Sequence, residues 1–193
     1  MKKIKTKFKD LIIFQSQNHS DHRGFFRELF LEKQVKSKLK FFVVSKSKKN
    51  VLRGLHFQLK NPQGKYLSVL KGKILDVAVD CRPKSKTFGK YFKILLSDKN
   101  CKSIYIPPGF AHGFLGINKE NIVMYGCTNY RDKNSESGII WNDEKLKIKW
   151  PIKSPVLSNK DKNNKYFIYG GSKEEVLKLK EKKIPNNLHI NHS

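Results

Sequence analysis

Long apolar runs are missing from this sequence, and the run nearest its start, residues 11–14, is short. A helix that crosses a membrane needs roughly 18 apolar residues or more. A signal peptide needs a longer apolar stretch than this one, followed by a small-residue cleavage site. The basic lead Met1-Lys-Lys-Ile-Lys5 is followed by neither feature. We therefore predict no membrane partner and a cytoplasmic location.

Cysteine is equally scarce. Cys81, Cys101 and Cys127 form no C-x-x-C pair, and their number is odd. A disulfide framework or a structural zinc cluster needs cysteines in pairs at characteristic spacings. We expect buried free thiols instead.

Arginine is rare although the chain is strongly basic. The net charge is +25, but only five of the 41 cationic residues are arginine, and the lysines are scattered along the chain. Recognition of nucleic acid favours the planar, bidentate guanidinium group. We therefore predict a lysine-rich solvated surface and no nucleic-acid partner. A small substrate that carries phosphate remains compatible with this charge.

Short β-rich runs, separated by turn residues such as Asn61-Pro-Gln-Gly64, fill the middle of the chain. Many short strands at regular spacing indicate an all-β sandwich or barrel. In one run Asp76, Ala78 and Asp80 share a face, while Val77 and Val79 share the other. The predicted strands are residues 41–45, 51–58, 66–70, 74–80, 91–96, 103–106, 113–117 and 122–128.

The two ends of the chain carry fewer signals. We predict one strand within residues 1–15 and a short helix within residues 30–40. Ser172 and Glu175 form a capping box that predicts a helix near the C-terminus. The organisation is one domain, residues 1–184, followed by a loose polar tail, residues 185–193.

Two segments carry candidate chemistry. The first is Asn50-Val-Leu-Arg-Gly-Leu-His-Phe-Gln58, and the second contains Pro107-x-Gly109-x-x-His112, which resembles the second half of the cupin signature. A metal cupin also needs an H-x-H pair and a glutamate in its first half, where this chain has only His56. Because a catalytic metal usually takes three protein ligands, we predict no metal site.

Without a metal, His56 fits a general base, since a neutral imidazole titrates near working pH. A base needs an orienting partner, an acid opposite it and a cation that holds developing negative charge. Asp161, Tyr125 and Lys65 are candidates for these three roles. Their spacing in the sequence leaves open whether they meet.

The chain resembles the dTDP-4-dehydrorhamnose 3,5-epimerases, which are RmlC-type cupins, from about residue 21 to residue 161. The matching stretches are Asp21-His-Arg-Gly-Phe-Phe-Arg-Glu28, Ser45-Lys-Ser-Lys-Lys-Asn-Val-Leu-Arg-Gly-Leu-His-Phe-Gln58, Gln63-Gly-Lys65, Asp76-Val-Ala-Val-Asp80, Thr87-Phe-Gly89, Ile106-Pro-Pro-Gly-Phe-Ala-His-Gly-Phe114, Thr128-Asn-Tyr130, Ile140-Trp-Asn-Asp143 and Leu157-Ser-Asn-Lys-Asp161.

This resemblance implies a cupin jelly-roll β-sandwich or barrel with short helices near the termini. It implies an epimerase that inverts C3, C5 or both in a nucleotide-linked 4-keto-6-deoxy sugar, within deoxysugar and cell-surface polysaccharide biosynthesis. No cofactor is implied, because the ketone of the substrate is the electron sink. A homodimer with exchanged N-terminal strands is also implied, and residues 11–14 are our candidate for the exchanged strand.

The resemblance also implies roles for individual residues. His56 removes the proton, Asp161 pairs with it, Tyr125 returns a proton on the opposite face, and Lys65 stabilises the enolate oxygen. The implied substrate-binding residues are Arg23, Glu28, Arg53, His112, Glu136 and Lys160.

The sequence departs from the family at the nucleotide. Phe41, Phe42 and Val43 replace a polar Gln-Asp-Asn, and Arg131 follows Tyr130 where a second aromatic usually stacks on thymine. We assign Arg131 to substrate binding, because a guanidinium plane also stacks on a base. Whether the carrier is dTDP, CDP or GDP stays open.

Two other functions remain alternatives. One is a cupin 3,4-ketoisomerase of sugar nucleotides, and the other is a non-catalytic sugar-nucleotide binder, which would have no use for a base and an acid on opposite faces. A geometric expectation accompanies the enzymatic interpretation. Arg53 and His56 are three positions apart, so a regular strand would separate their side chains. If both reach one pocket, the strand must bulge, and Gly54 is the natural place.

Overall fold

The computed structural model describes residues 1–167, and these form two β-sheets that pack face to face. The elements are β1 (Lys2–Lys5), β2 (Ile12–Gln15), β3 (His19–Asp21), β4 (Gly24–Phe26), a 3-10 helix (Glu32–Gln34), β5 (Phe41–Lys48), β6 (Leu52–Gln58), β7 (Lys65–Lys71), β8 (Lys73–Asp80), β9 (Tyr91–Ser97), β10 (Lys102–Ile106), β11 (Phe110–Gly116), β12 (Glu120–Cys127), β13 (Glu136–Gly138) and α1 (Asn159–Lys162).

The first sheet has six strands in the order β1-β2-β10-β7-β12-β5, and the second has five in the order β13-β6-β11-β8-β9. Neighbouring strands within each sheet are antiparallel. Strands β3 and β4 form a separate hairpin. The prediction of an all-β sandwich is confirmed.

The main core lies between the two sheets. Leu67, Ile104 and Val123 of the six-stranded sheet meet Ala78 and Phe114 of the five-stranded sheet there, all of them almost fully buried. Removing such side chains from water stabilises the fold by about 1.5–3 kcal/mol for each large one. This cluster fixes which side chains face the interior of the sandwich.

Each sheet is also covered on its outer face. Val77, Val79 and Leu55 pack outside the five-stranded sheet against Ile139 and Leu146. The predicted alternation along β8 is therefore confirmed, because Ala78 lies inside and both valines lie outside. On the other sheet, Tyr66, Tyr105 and Phe14 face outward, where they pack with Val35, Phe30 and Leu39.

The eight predicted strands in the middle of the chain all exist, with ends that differ by a few residues. The single strand predicted within residues 1–15 is wrong, because β1 and β2 pair as two strands. Residues 11–14, our candidate for the exchanged strand, are bound within the same chain, since β2 pairs with β10. Cys101 and Cys127 are buried free thiols as predicted, while Cys81 is partly exposed.

The termini depart further from expectation. The helix predicted within residues 30–40 is reduced to the three-residue 3-10 turn, whereas α1 is a short helix near the end of the described part. The predicted helix after Ser172 and the tail from Pro185 lie outside the described residues, and the single domain of residues 1–184 stays a prediction. In the described part of the chain, no helix is long and apolar enough to span a membrane.

Candidate active site

Strand β6 bulges at Gly54, as the sequence predicted. On β11, His112 and Phe114 are two residues apart, but their partners on β6, His56 and Arg53, are three residues apart. The extra residue is accommodated by Gly54, which has φ +123°. A Cβ there would lie 2.5 Å from the Cα of Gly113, so only glycine fits this close approach.

The bulge turns His56 and Arg53 toward the same interior. Directly opposite residues of antiparallel strands point to one face, so His56 shares the face of His112, and Arg53 shares that of Phe114. Phe114 belongs to the core between the sheets. Both polar side chains therefore enter the space between the two sheets.

His56 is held by Asp161. Its Nε2 lies 2.5 Å from Asp161 Oδ1, with the imidazole 35% exposed and the carboxylate 5% exposed. Helix α1 presents this carboxylate, because the Ser158 hydroxyl accepts a hydrogen bond from the backbone N–H of Asp161, which is a helix N-cap. A carboxylate can only accept a hydrogen bond, so Nε2 carries the proton and Nδ1 is the basic nitrogen.

The ionised state of Asp161 follows from its surroundings. Burial raises the pKa of Asp161, but hydrogen bonds from His56 and Ser158, together with the charge of His56, outweigh burial and hold the pKa below its ordinary value. Asp161 is therefore ionised at neutral pH and can accept the hydrogen bond from His56.

Tyr125 and Lys65 enter the same interior from the opposite sheet. Tyr125 packs against the core between the sheets. Lys65 is paired with Cys127, two residues after Tyr125, and lies on the same face as Leu67 and Val69. The base candidate and the acid candidate therefore come from different sheets and enter the same interior.

Burial shifts the pKa values of Lys65 and Tyr125 in opposite directions, and different charges oppose each shift. Burial lowers the pKa of Lys65, and the negative charges of Asp76 and Glu136 oppose that fall. Burial raises the pKa of Tyr125, while the positive charges of Arg53 and Arg131 oppose that rise. Burial thus favours the neutral amine of Lys65 and the carboxylates favour its ammonium, whereas Tyr125 is a phenol that keeps its proton at neutral pH.

His112 is bound to a second carboxylate. Its Nε2 lies 2.7 Å from Asp76 Oδ2, and the two side chains are 7% and 1% exposed. The other oxygen, Asp76 Oδ1, is buried and has no hydrogen-bond partner among the described residues. A buried carboxylate oxygen without a partner is costly, and the charge of Asp76 acts on Lys65.

Glu136 connects two of the expected substrate-binding cations. Arg131 donates from Nε and Nη2 to its two oxygens at 2.5 and 3.0 Å, and Lys160 Nζ lies 2.7 Å from Oε2. The Arg131 hydrogen bond, followed by that of Lys160, lowers the pKa of Glu136 to about 2 despite burial. Strand β13 places Glu136 opposite Gln58, two residues along β6 from His56.

Arg53 is fixed beside these groups. Its Nε donates to Ser47 Oγ at 2.9 Å, and its Nη2 donates to the carbonyl of Lys46 at 3.0 Å. Both acceptors belong to β5, the edge strand next to Tyr125. The guanidinium thus bridges the two sheets at the site.

Arg23 and Glu28 do not join the others within one chain. Arg23 lies in the β3–β4 hairpin, is 78% exposed and pairs with Asp21. Glu28 is next to Leu29, whose carbonyl accepts a hydrogen bond from the outward-facing hydroxyl of Tyr66. These two residues therefore lie outside the six-stranded sheet, while His56 lies inside the sandwich.

A cavity of about 520 Å³ lies next to the candidate site residues but does not include the base and acid candidates. It is lined by Glu136 and Lys160 at one side and by Phe57, Phe88 and Ile139 elsewhere. His56, Tyr125 and Lys65 are not among its lining residues. The shape of the surface and the paired titratable groups therefore indicate different candidate places, and perturbed titratable groups are the more specific signal of a functional site.

The described residues contain no group of three His, Cys, Asp or Glu side chains that could hold a metal ion. Both interior histidines already use Nε2 on a carboxylate. The arrangement instead offers a base, an acid and a cation around one space.

A family model described as dTDP-4-dehydrorhamnose 3,5-epimerase matches residues 5–168 of this chain. The chain belongs to the dTDP-4-dehydrorhamnose 3,5-epimerase family. It is therefore an isomerase, a carbohydrate epimerase of deoxysugar biosynthesis. A dTDP-4-dehydrorhamnose 3,5-epimerase from Shigella flexneri is 43% identical over 175 residues, which cover 87% of this chain and 97% of that protein.

Solved structures of similar epimerases agree with the fold. The epimerase from Legionella pneumophila Philadelphia 1, in complex with dTDP-4-keto-L-rhamnose, is 40% identical with a TM-score of 0.82 and covers 86% of this chain and 92% of its own. A 3'-monoepimerase from Streptomyces bikiniensis, in complex with dTDP-quinovose, is 26% identical with a TM-score of 0.79 and covers 91% and 89%. The chain is thus similar in structure to an enzyme named for one inversion as well as to one named for two.

Sequence reasoning missed Asp76 as a member of the site. Its alternation with Ala78 placed a carboxylate on a buried face, and buried carboxylates need partners. That signal was available, but the partner, His112, is 36 residues away.

Proposed function

We propose that this epimerase inverts C3 and C5 of a dTDP-linked 4-keto-6-deoxy sugar by removing a proton with His56 and returning one from Tyr125. The observation that carries the proposal is the placement of the His56–Asp161 pair on one sheet and Tyr125 on the facing sheet. A sugar ring bound between them has the base on one face and the acid on the other. Inversion at carbon requires that arrangement.

The first step is proton abstraction beside the C4 ketone. The C–H bond at C3 or C5 breaks, the proton moves to Nδ1 of His56, and the electron pair delocalises onto the C4 oxygen as an enolate. Asp161 stabilises the imidazolium that forms, because its carboxylate already holds Nε2–H. General-base catalysis of this kind contributes about 10²–10⁴-fold in rate.

Lys65 holds the negative charge of the enolate. Its ammonium is on the interior face of β7, near Asp76 and Glu136. A cation placed in a poorly hydrated site stabilises a developing oxyanion more than it would in water. The ketone of the substrate serves as the electron sink in this sequence of steps, so we propose no cofactor.

Tyr125 completes the inversion. Its O–H bond breaks as a new C–H bond forms on the opposite face of the ring. The protonated His56 and the phenolate of Tyr125 then exchange protons with water to restore the starting state. The raised pKa of Tyr125 keeps the acid protonated until the enolate has formed.

The nucleotide diphosphate is held by cations at the edge of the site. Arg53, Arg131 and Lys160 are the candidates, and Arg131 and Lys160 share Glu136 as their counter-ion. The relative solved with dTDP-4-keto-L-rhamnose supports dTDP as the carrier. We place this reaction in the cytoplasm.

A second copy of the chain supplies Arg23 and Glu28. Both residues lie outside their own sandwich, and the hairpin that carries Arg23 exposes Phe25 and Phe26 at 59% and 70%. An exposed apolar hairpin with a cation at its turn fits an exchange between two copies. In the homodimer that we propose, this β3–β4 hairpin takes the exchanging role that we had expected of residues 11–14.

Solvent exchange tests the proposal. The full chain is incubated in deuterated water with dTDP-, CDP- and GDP-linked 4-keto-6-deoxy sugars, and deuterium at C3 and C5 is followed by NMR. Deuterium at both carbons with inverted product supports the double epimerase. Deuterium at one carbon indicates a monoepimerase, a moved carbonyl indicates the ketoisomerase, and binding without any exchange contradicts catalysis.

A further inference from the structure

The cavity of about 520 Å³ beside the site is a surface that the proposed catalysis does not use. It lies on the outer face of the five-stranded sheet, where Phe57, Cys81 and Phe88 line it and pack against the outer cluster that contains Ile139. Tyr166 also lines it and is 64% exposed. Sites that hold small molecules are mostly apolar clefts of about 300–1,000 Å³, so this cavity has room for a ligand or for a few apolar side chains.

The described part of the chain ends in the wall of this cavity. Phe167 lines it, and the ring centroid of Phe167 lies 5.4 Å from that of Phe88. The backbone N–H of Phe167 donates to Asp143 Oδ2 at 2.6 Å. The chain therefore leaves the sandwich from a fixed point beside the cavity. The family model ends at residue 168, so residues 169–193 lie outside the part of the chain that it matches.

The sequence beyond this point suits an apolar cavity. Gly170-Gly171 is a turn signal, and the capping box that follows it predicts a helix over residues 172–182. Val176 and Leu179 are three positions apart, so a helix presents them on one face. A helix with its side chains is about 10–12 Å wide. Such a helix fits across the mouth of the cavity, and only its side chains enter.

The charges of the cavity and of this segment are complementary. The cavity is lined by three cations, Arg82, Lys160 and Lys165, and by one anion, Glu136. Acidic residues are scarce in the whole chain, 16 of 193, yet the predicted helix begins with the adjacent pair Glu174-Glu175. This acidic end is the one nearer in sequence to Phe167. Attraction between the acidic pair and the basic rim therefore favours this segment as the occupant.

The cavity shares helix α1 with the site. Lys160 and Asn163 line the cavity, whereas Asp161, which lies between them in sequence, binds Nε2 of His56. Helix α1 has only four residues, Asn159–Lys162, and a helix this short depends on its neighbours for stability. Whatever occupies the cavity thus contacts the element that holds the catalytic pair.

We propose that residues 172–182 dock over this cavity in the same chain, insert Val176 and Leu179 between its apolar walls and brace α1. The bracing rests on the proposed function, because it acts through Asp161 on His56. The docking does not depend on that function. The segment is a positioning element that touches no substrate.

Cys81, in the wall of the cavity, is a native reporter of docking. The full chain is treated with N-ethylmaleimide, and peptide mass spectrometry follows each thiol. Cys101 and Cys127 are buried and serve as internal controls. We expect Cys81 to react at least about tenfold faster in the double variant Val176→Asp/Leu179→Asp than in wild type, because the loss of one buried apolar side chain already changes an equilibrium by about that factor.

Asn186→Asp is the matched control for the double variant. It adds a negative charge to the same segment after the predicted helix, so we expect Cys81 labelling within about twofold of wild type. Equal labelling in wild type and in the double variant overturns the docking. Protection of Cys81 that is lost on dilution shows that a second copy supplies the segment, and it overturns docking within one chain. Val176→Ser/Leu179→Ser replaces the double variant if thermal unfolding shows that the aspartates disrupt the whole fold.

Steady-state kinetics test the bracing of α1 separately. We expect the double variant to lower kcat by about threefold or more and to leave KM within about twofold of wild type, because the segment acts on the catalytic pair and not on substrate binding. Faster labelling of Cys81 with unchanged kcat overturns the bracing. A wild-type chain that protects Cys81 but neither exchanges deuterium nor turns over substrate keeps the docking and removes the proposed function.

Discussion

His56 and His112 stand directly opposite each other on neighbouring antiparallel strands, yet each imidazole is held by a different carboxylate. His56 is 35% exposed and pairs with Asp161, whereas His112 is 7% exposed and pairs with Asp76. Both imidazoles enter the space between the sheets, and that of His56 is the more accessible. The buried imidazole of His112 binds Asp76, and the charge of Asp76 acts on Lys65.

Replacing Asp161 by Asn should lower kcat by about a hundredfold or more. The amide of Asn can donate to Nε2, which moves the ring proton to Nδ1 and removes the base. Steady-state kinetics of product formation measure the loss. Ser158→Ala is the comparison variant: it removes the cap that accepts from the Asp161 N–H and the hydrogen bond to the carboxylate but keeps the carboxylate itself, so we expect a smaller loss. An Asp161→Asn enzyme within threefold of wild type would exclude the pair from proton abstraction.

Asp76→Asn should move the alkaline limb of the pH–rate profile to lower pH. Lys65 must carry its charge to hold the enolate, so activity falls as pH rises through the pKa of Lys65. Burial already lowers that pKa, and Asp76 and Glu136 oppose the fall, as does Cys127, while Lys160 adds to it. Removing the charge of Asp76 lowers the pKa of Lys65 further.

Asp80→Asn is the matched control for this shift. Asp80 is a second buried carboxylate on the same face of β8, but it binds Arg82, Ser85 and Thr87. We expect Asp80→Asn to lower thermal stability and to leave the alkaline limb in place. If the alkaline limb of the pH–rate profile lies at the same pH in wild type and in Asp76→Asn, Asp76 has no electrostatic effect on the reaction.

Gly54→Ala should destabilise the fold by more than about 2 kcal/mol and displace His56. The added Cβ would meet the Cα of Gly113 at 2.5 Å and the carbonyl of His112 at 2.7 Å. Gly24→Ala is the control, because Gly24 also has a positive φ, +133°, with nothing within 4 Å of its Cβ position. Urea unfolding measures both, and an equal loss of stability would show that backbone strain alone matters at Gly54.

Much of this arrangement could be predicted from local sequence. The turn residues between short runs separated the strands, the spacing of Asp76 and Ala78 gave the face of β8, and the three-residue spacing of Arg53 and His56 required the bulge. These features depend on residues near each other in the chain. Backbone geometry alone is enough to infer them.

Contacts between distant residues could not be predicted in this way. The pairing of His112 with Asp76 and the Phe41–Tyr130 stack follow from the register of strands that are far apart in sequence. The position of residues 29–39 over the outer face of a sheet is likewise a tertiary effect, and it replaced a predicted helix. Local propensity is a weak guide wherever packing decides.

Mixing two defective variants should restore activity if Arg23 acts in the site of a second copy. Arg23→Ala and His56→Ala are each expected to be strongly impaired as homodimers. In a mixed dimer one of the two sites receives neither substitution, so random exchange restores about a quarter of the wild-type rate. The rate is measured after the variants are mixed and allowed to exchange subunits. No recovery, with exchange verified by mass, would place Arg23 outside the partner's site.

The most direct test of the central claim is the ratio of deuterium exchange to inversion in Tyr125→Phe, measured by NMR with a dTDP-4-keto-6-deoxy sugar in deuterated water. The account predicts that His56→Ala loses both exchange and inversion, while Tyr125→Phe retains exchange and loses most of the inverted product, because the base and the acid act from opposite sheets. Inversion at the wild-type rate in Tyr125→Phe, or undiminished exchange in His56→Ala, would contradict it.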